Sequence, residues 1–476
     1  MNVGRLRSAL LAPRALALLA GSCIAVSLGI AWGFVVDDAL IVSRFAWVVR
    51  TSGRHAFALD GPLVDGVTPL PYPWLVAPFA RSILGALLAQ RILGSAAVAV
   101  GATLLAHRLA GRSPGGSLVG LALVACAFPL AVHASSGLET GLATGLVAAA
   151  LACAVDDTGE ALARSALLFG LACTLRPELF PAALSAVAVR LTHAQALGLL
   201  ARVVAPTFAV VAVRLACFGS PLPLAVLAKP SDLEHGALYV GAGVLVTGLV
   251  FLGLVALPAF RASEALRPVR RSALALVTVH VLVVAAVGGD WMPYARLLVP
   301  VIPSVAVIAA SIASTGARSA LAALVLSVNV VFGWRHRSDA AAVWSKRASV
   351  IEALAPALAS HACVAGLDVG FLGAAFAGSI VDLAGLTDPA VARLRGGHTS
   401  KALPEGFLDT RGADALVLWA PPGSRVELGP QAVFGRVVET RLARSPRVAA
   451  TFEEHTRIPW DASGAVLVVY GRRAPR

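Results

Sequence analysis

The sequence predicts an α-helical polytopic membrane protein that ends in a mixed α/β domain. Three observations lead there. Hydrophobic residues make up 58% of the 476-residue chain and charged residues only 14%, with a mean hydropathy of +0.81. A soluble globular chain carries roughly 25% charged residues, so this one cannot solvate its own surface in water. Apolar runs of membrane-crossing length recur along residues 1–335, with arginines gathered in the short stretches between them. From about residue 336 to 476 the chain turns more polar and mixes short apolar runs (362–367, 413–419, 465–470) with Gly and Pro turns, the pattern of short strands and helices.

Taken in order, Arg5, Arg7 and Arg14 precede an apolar run from Ala15 to Val36. A cleaved signal peptide has a shorter core and an A-x-A-like site, so this run is expected to remain as a first helix. Further spans are expected near 87–110, 117–134, 138–155, 162–176, 178–190, 197–217, 237–260, 272–288, 297–315 and 319–334, about eleven in all. The two around Pro177 are short and read as half-helices, which need protein or a cavity over the broken backbone. The stretch 70–84 is interrupted by Pro71, Pro73 and Pro78 and reads as an interfacial or re-entrant helix.

The net charge of +13 resembles a nucleic-acid footprint, but its position argues otherwise. With the N-terminus in the cytoplasm, alternate loops hold Arg108 and Arg112, Arg164, Arg190 and Arg202, Arg318, and the cluster Arg261, Arg267, Arg270 and Arg271. That is the positive-inside pattern, and no nucleic-acid partner is expected. The same parity places residues 336–476 outside. The six cysteines show no CxxC spacing, so neither a disulfide framework nor a zinc site is expected.

Polar residues at membrane depth are costly and point to function. Here they fall on hairpins of the outer side: Asp37-Asp38; Ser136 to Glu139; Arg176-Pro177-Glu178; the segment from Pro221 to Lys229; and Asp290 to Arg296. Each has a structural reading. Asp37-Asp38 could end a helix at the headgroups, Ser136 and Glu139 have capping-box spacing, Arg176 and Glu178 could pair, and Lys229 and Arg296 could snorkel to lipid phosphates. Five together are more economically a shared cleft. Lys229, Arg296 and Arg176 suit a phosphate, because Arg offers a planar fork and Lys a point charge. A neighbouring carboxylate could act as general base. The adjacent pair Asp37/Asp38 would titrate as a coupled unit or share a divalent cation, the one cofactor the residues suggest.

These segments resemble a family. Asp37-Asp38-Ala39-Leu40-Ile41-Val42-Ser43-Arg44-Phe45 resembles the opening of GT-C integral membrane glycosyltransferases, in the branch of the mycobacterial terminal β-arabinofuranosyltransferase. Six further segments are similar to that branch and occur in the same order. They are Val64 to Pro69, Ser136 to Thr140, Thr174 to Glu178, Phe218 to Lys229, Gly289 to Pro300, and Asp382 to Pro389 with Gly397-His398. Asp65, Val67 and Leu224 depart from the residues usual there.

The resemblance implies a GT-C fold in a bacterial inner membrane. It implies a polyprenyl-phosphate sugar donor, with arabinofuranose as a candidate sugar, and an extracytoplasmic cell-envelope glycan as acceptor. Asp37 or Asp38 would be the catalytic base; the resemblance does not choose between them, and position alone favours Asp37, which follows the helix end most directly. Lys229, Arg296 and Arg176 would hold the donor phosphate. Arg44, Glu139, Glu178, Asp290 and His398 would support the site, and the soluble domain would cap it or bind the acceptor. A transporter or lipid-linked sugar flippase is the rival class. It would need charges along a path to both sides and an inverted repeat, and no repeat is evident.

Overall fold

The computed structural model describes residues 13–191, 196–229 and 232–473, so Arg5 and Arg7 of the expected orientation signal lie outside the described residues. The protein is mostly helical, with one small sheet near its C-terminus. Among the described residues four helices are long and apolar enough to cross a membrane: Ile83–Ala110, Ala196–Phe218, Glu264–Ala286 and Thr315–Leu358. Two bent pairs raise this to six, Pro114–Ala125 with Phe128–Ser135 at 59° and Leu233–Val246 with Leu249–Ala256 at 80°. Shorter apolar helices occupy other expected positions, including Thr140–Ala154.

The chain divides into two compact units. One gathers the described residues up to Phe34, those within 90–211 and those within 232–341. Its helices approach through small residues. A Cβ at Gly94 would lie 2.6 Å from the Ala134 carbonyl oxygen, and one at Gly141 2.9 Å from Gly94 Cα. Gly116 and Gly120, four residues apart, do the same against Ala310 and Ala306. Lipid tails are as apolar as leucine, so association within a membrane comes from such close backbone packing rather than from burial of oily surface. The break expected at Pro177 is present: Gly159–Leu175 ends there, and Pro177–Leu179 forms a tight turn before Phe180–Ala188.

The second unit gathers 35–89, the described residues of 212–230, and 342–473. Its sheet has five strands: β1 (Cys363–Gly366), β2 (Ser379–Asp382), β3 (Ala415–Ala420), β4 (Phe452–Pro459) and β5 (Val466–Arg472), in the order β2-β1-β3-β5-β4. β1 runs parallel to β2 and β3, while β5 is antiparallel to β3 and β4. β3 is buried along nearly its whole length, as expected of a central strand covered on both faces. The stretch expected to be interfacial forms the short helices Pro71–Val76 and Ala77–Phe79, which expose Trp74, Leu75 and Phe79. The expected domain limit at 335/336 falls inside the continuous 44-residue helix Thr315–Leu358.

Candidate functional site

Asp37 and Asp38 open the helix Asp37–Ser52, where carboxylates suit the positive end of the helix dipole. Both are half-buried. The two Asp37 oxygens accept backbone N–H groups from the start of the helix Val369–Ala375: Oδ1 from Phe371 at 2.7 Å and Oδ2 from Gly370 at 3.1 Å. Gly370 is required here, because a Cβ would collide with the Asp37 carbonyl. Burial, then Asp368 and then Asp38 push the Asp37 carboxyl well above the usual range, against the two N–H bonds.

Asp38, whose charge acts on Asp37, acts on His398 as well. His398 is pushed down to about 4, by burial first and then by Lys229, with Asp38 opposing. The imidazole is thus neutral at pH 7 and shares one electrostatic environment with a carboxylate and an ammonium. Arg436 borders it as well. One terminal nitrogen of this guanidinium donates to both Asp368 oxygens, at 2.8 and 2.9 Å, and the other donates to Glu439 at 3.2 Å.

Two further devices hold these segments in place. Arg44, fully buried, meets no carboxylate among the described residues and gives its five N–H groups to main-chain carbonyls. Nε donates to Phe57 at 2.7 Å, and the terminal nitrogens donate to Gly373, Phe376, Ala377 and Gly378 at 2.6–3.4 Å. Arg44 therefore ties the Asp37–Ser52 helix to the segment after Val369–Ala375. The second device is Arg214, whose Nε meets Asp65 at 2.8 Å while a terminal nitrogen donates to the Thr68 carbonyl at 2.5 Å. The Asp65 carbonyl in turn accepts the Leu224 N–H at 3.1 Å. The loop around Asp65 and the segment leading to Lys229 are thereby fastened together.

The remaining sequence-predicted residues form a cluster in the other unit. Arg176 lies between Glu139 at 2.7 Å and Glu178 at 2.6 Å, all three largely buried. Glu139 thus serves an ion pair rather than the expected capping box, and among the described residues no side chain at the N-cap of the helix Thr140–Ala154 makes a capping bond. Arg296 Nε lies 2.6 Å from Asp290 Oδ2. The loop that bears them is strained: Tyr294 and Ala295 have φ of 63° and 52°, a conformation that costs an L-residue about 1–2 kcal/mol. Two buried histidines pin it, His133 Nε2 at 3.0 Å from the Pro293 carbonyl oxygen and His280 Nε2 at 2.6 Å from that of Leu297.

The expected residues therefore divide into two groups. Asp37, Asp38, Arg44, Lys229 and His398 belong to one unit, and Arg176, Arg296, Glu139, Glu178 and Asp290 to the other. In the second group three carboxylates face two guanidinium groups. Offering Arg176 to a phosphate would mean breaking an ion pair. Among the described residues no group of three or more His, Cys, Asp or Glu side chains is arranged to hold a metal ion.

Asp368, Arg436, Arg214, His133 and His280 were not singled out from the sequence. Arg214 had a signal, being a lone arginine in an apolar run. Asp368 and Arg436 sit in ordinary polar sequence and had none. No protein-family model matches the chain, and no curated protein matches it.

Proposed function

We propose that the protein is a membrane glycosyltransferase of the GT-C kind. It would move a sugar, arabinofuranose being the candidate, from a polyprenyl-phosphate donor to a cell-envelope glycan on the outer face of a bacterial inner membrane. In this reading the chain makes about eleven crossings from a cytoplasmic N-terminus. The observation that carries it is that Asp38 and Lys229 both act electrostatically on His398, the helix Leu224–Ala228 that leads to Lys229 being packed against Pro389–Ala392. These residues come from three segments far apart in sequence, and they combine a carboxylate, a cation and a neutral imidazole.

Asp38 is the general base in this scheme. Asp37 is held by Gly370 and Phe371 and biased towards its protonated form, so it positions its neighbour. An acceptor hydroxyl gives its proton to Asp38 as its oxygen bonds to the anomeric carbon. The bond from that carbon to the phosphate oxygen breaks, and the anomeric centre inverts. Lys229 stabilises the charge that gathers on the departing phosphate. His398 supplies a hydrogen bond without adding a second cation. Arg176 and Arg296, neutralised by neighbouring carboxylates, order their loops instead of binding phosphate.

The test is a cell-free assay of purified protein in nanodiscs with polyprenyl-phosphate sugars and a glycan acceptor. Sugar transfer by the parent and its loss in Asp38→Asn are the expected results. Parental turnover in both Asp38→Asn and Lys229→Ala would remove the reading.

A further inference from the structure

Beyond the acid pair, the C-terminal part of the second unit contains a cavity of about 390 Å³ between the 401–409 loop and the helices Val437–Ala443 and Pro446–Thr451. Its floor is apolar and buried, formed by residues such as Leu408, Leu442 and Val448. Its rim is polar and carries Arg441, Arg447 and Asp409. Arg447 Nε donates to Asp409 at 2.6 Å, and Arg472 donates to the other oxygen of the same carboxylate at 2.7 Å. Gly406 allows this arrangement: its φ is +72°, and a Cβ there would press on the Arg447 guanidinium at 3.1 Å. Among the described residues Nε is the one Arg447 side-chain nitrogen with a hydrogen-bond partner, and the guanidinium lies beside Gly406 of the cavity wall.

The chemistry selects among ligands. The volume lies in the range of small-molecule sites and is too small for a folded partner. A bare anion would need neither the apolar floor nor a carboxylate on the rim. A lipid tail would need neither the guanidinium groups nor Asp409. A sugar ring needs all of these, because it has an apolar C–H face and an edge of hydroxyls that both donate and accept. The position fits as well. Lys401 of the cavity wall comes three positions after His398, and Val438 two positions after Arg436. The Val438 N–H donates to the Thr399 carbonyl at 3.1 Å, and Arg441 donates to that of Ser400 at 3.0 Å. The cavity and the His398 environment are thus built on the same two short segments.

We infer that this cavity binds one or two sugar units of a glycan and holds the acceptor while its end reaches the site. The acceptor role rests on the glycosyl-transfer reading; saccharide binding does not. The experiment uses the full chain in nanodiscs, with an arabinofuranose hexasaccharide, a glucose hexasaccharide and inorganic phosphate as separate probes. Binding is followed by saturation-transfer NMR, and transfer by acceptor kinetics. Arg447→Ala and the cavity-filling Ser445→Trp should each raise the Kd for a saccharide, and the acceptor KM, by about tenfold or more, with kcat nearly unchanged. Two variants are used because a folding defect in one would not be shared by the other. Asp38→Asn should keep saccharide binding while losing transfer. Failure of both saccharides to bind, binding unaltered in both cavity variants, or Arg447-dependent binding of phosphate alone would each overturn the inference. Arg447-dependent saccharide binding by a parent that transfers no sugar would sink the enzyme reading and support the cavity assignment.

Discussion

The Asp37 carboxylate accepts the backbone N–H of Phe371 at 2.7 Å, across 334 positions of sequence. The helix that begins after Val36 is thereby joined to the C-terminal α/β part through its first residue. The relationship separates two adjacent acids that look interchangeable in the sequence.

That separation predicts unequal substitutions. Asp37→Asn keeps one acceptor oxygen but turns an amide N–H₂ towards a backbone donor. It should cost about 1–3 kcal/mol of stability and lower turnover only in part. Asp38→Asn should leave the melting temperature near parental and cut turnover about 10²- to 10⁴-fold, the usual value of general-base help. Turnover measured beside thermal unfolding separates the two effects. The reverse pattern would return the base role to Asp37.

Arg44 should tolerate no replacement. Lysine offers three donors where five carbonyls are served, and each buried carbonyl left unpaired costs about 1–3 kcal/mol. Arg44→Lys is expected to destabilise the second unit by about 2–6 kcal/mol, read as faster amide exchange in the 37–52 and 369–375 helices. Exchange rates close to parental would show that the tie is dispensable.

Arg176 carries a different risk. Its removal leaves Glu139 and Glu178 buried without a cation, a loss of about 3–5 kcal/mol. Arg176→Met should therefore express poorly in the membrane fraction. The triple variant Arg176→Met, Glu139→Leu, Glu178→Leu should recover much of the yield, because an apolar replacement removes the uncompensated charge. If the single variant is produced like the parent, the cluster contributes little to folding.

Acidity should act on the second unit through Glu439, buried and pushed up to about 7, chiefly by burial and against the pull of Arg436. A carboxyl raised in the folded state binds more protons there than in the unfolded chain. Its stabilising effect is full at low pH and is lost as pH rises from about 4.5 to 7. Asp382, raised to about 6 by burial, acts in the same direction. His55 and His398, lowered to about 4, act oppositely below pH 6.5. The difference between parent and Glu439→Gln isolates one group from the others. The variant should gain on the parent by about 2–3 kcal/mol between pH 5 and 8, seen as slower exchange in β3. A pH-independent difference would refute the assignment.

The arginine pattern predicts an orientation that labelling can test. In sealed vesicles of known sidedness, a cysteine introduced within 400–470 should react with an outside reagent, and one within 262–270 should not. Equal labelling of the two would overturn the outside assignment of the C-terminal domain.

Apolar runs long enough to span a bilayer have few ways to satisfy their backbone other than as helices. The sequence by itself therefore determined the helical character, the break at Pro177, the short helices after Pro71 and the mixed C-terminal region. It also determined which residues carry charge at costly positions, since such charges stand out against an apolar background. Their partners were decided only by the tertiary structure. Arg44, expected in a supporting role, donates to five main-chain carbonyls. Arg176 and Arg296 resembled phosphate ligands and were found against Glu139, Glu178 and Asp290. Arg436 and Asp368, in unremarkable polar sequence, came to border the acids. A side chain's type and spacing set what it can donate or accept, and hairpin periodicity sets roughly where it lies. Which donor meets which acceptor across hundreds of residues depends on packing as close as that of Gly370 on Asp37, where one methyl group would change the answer.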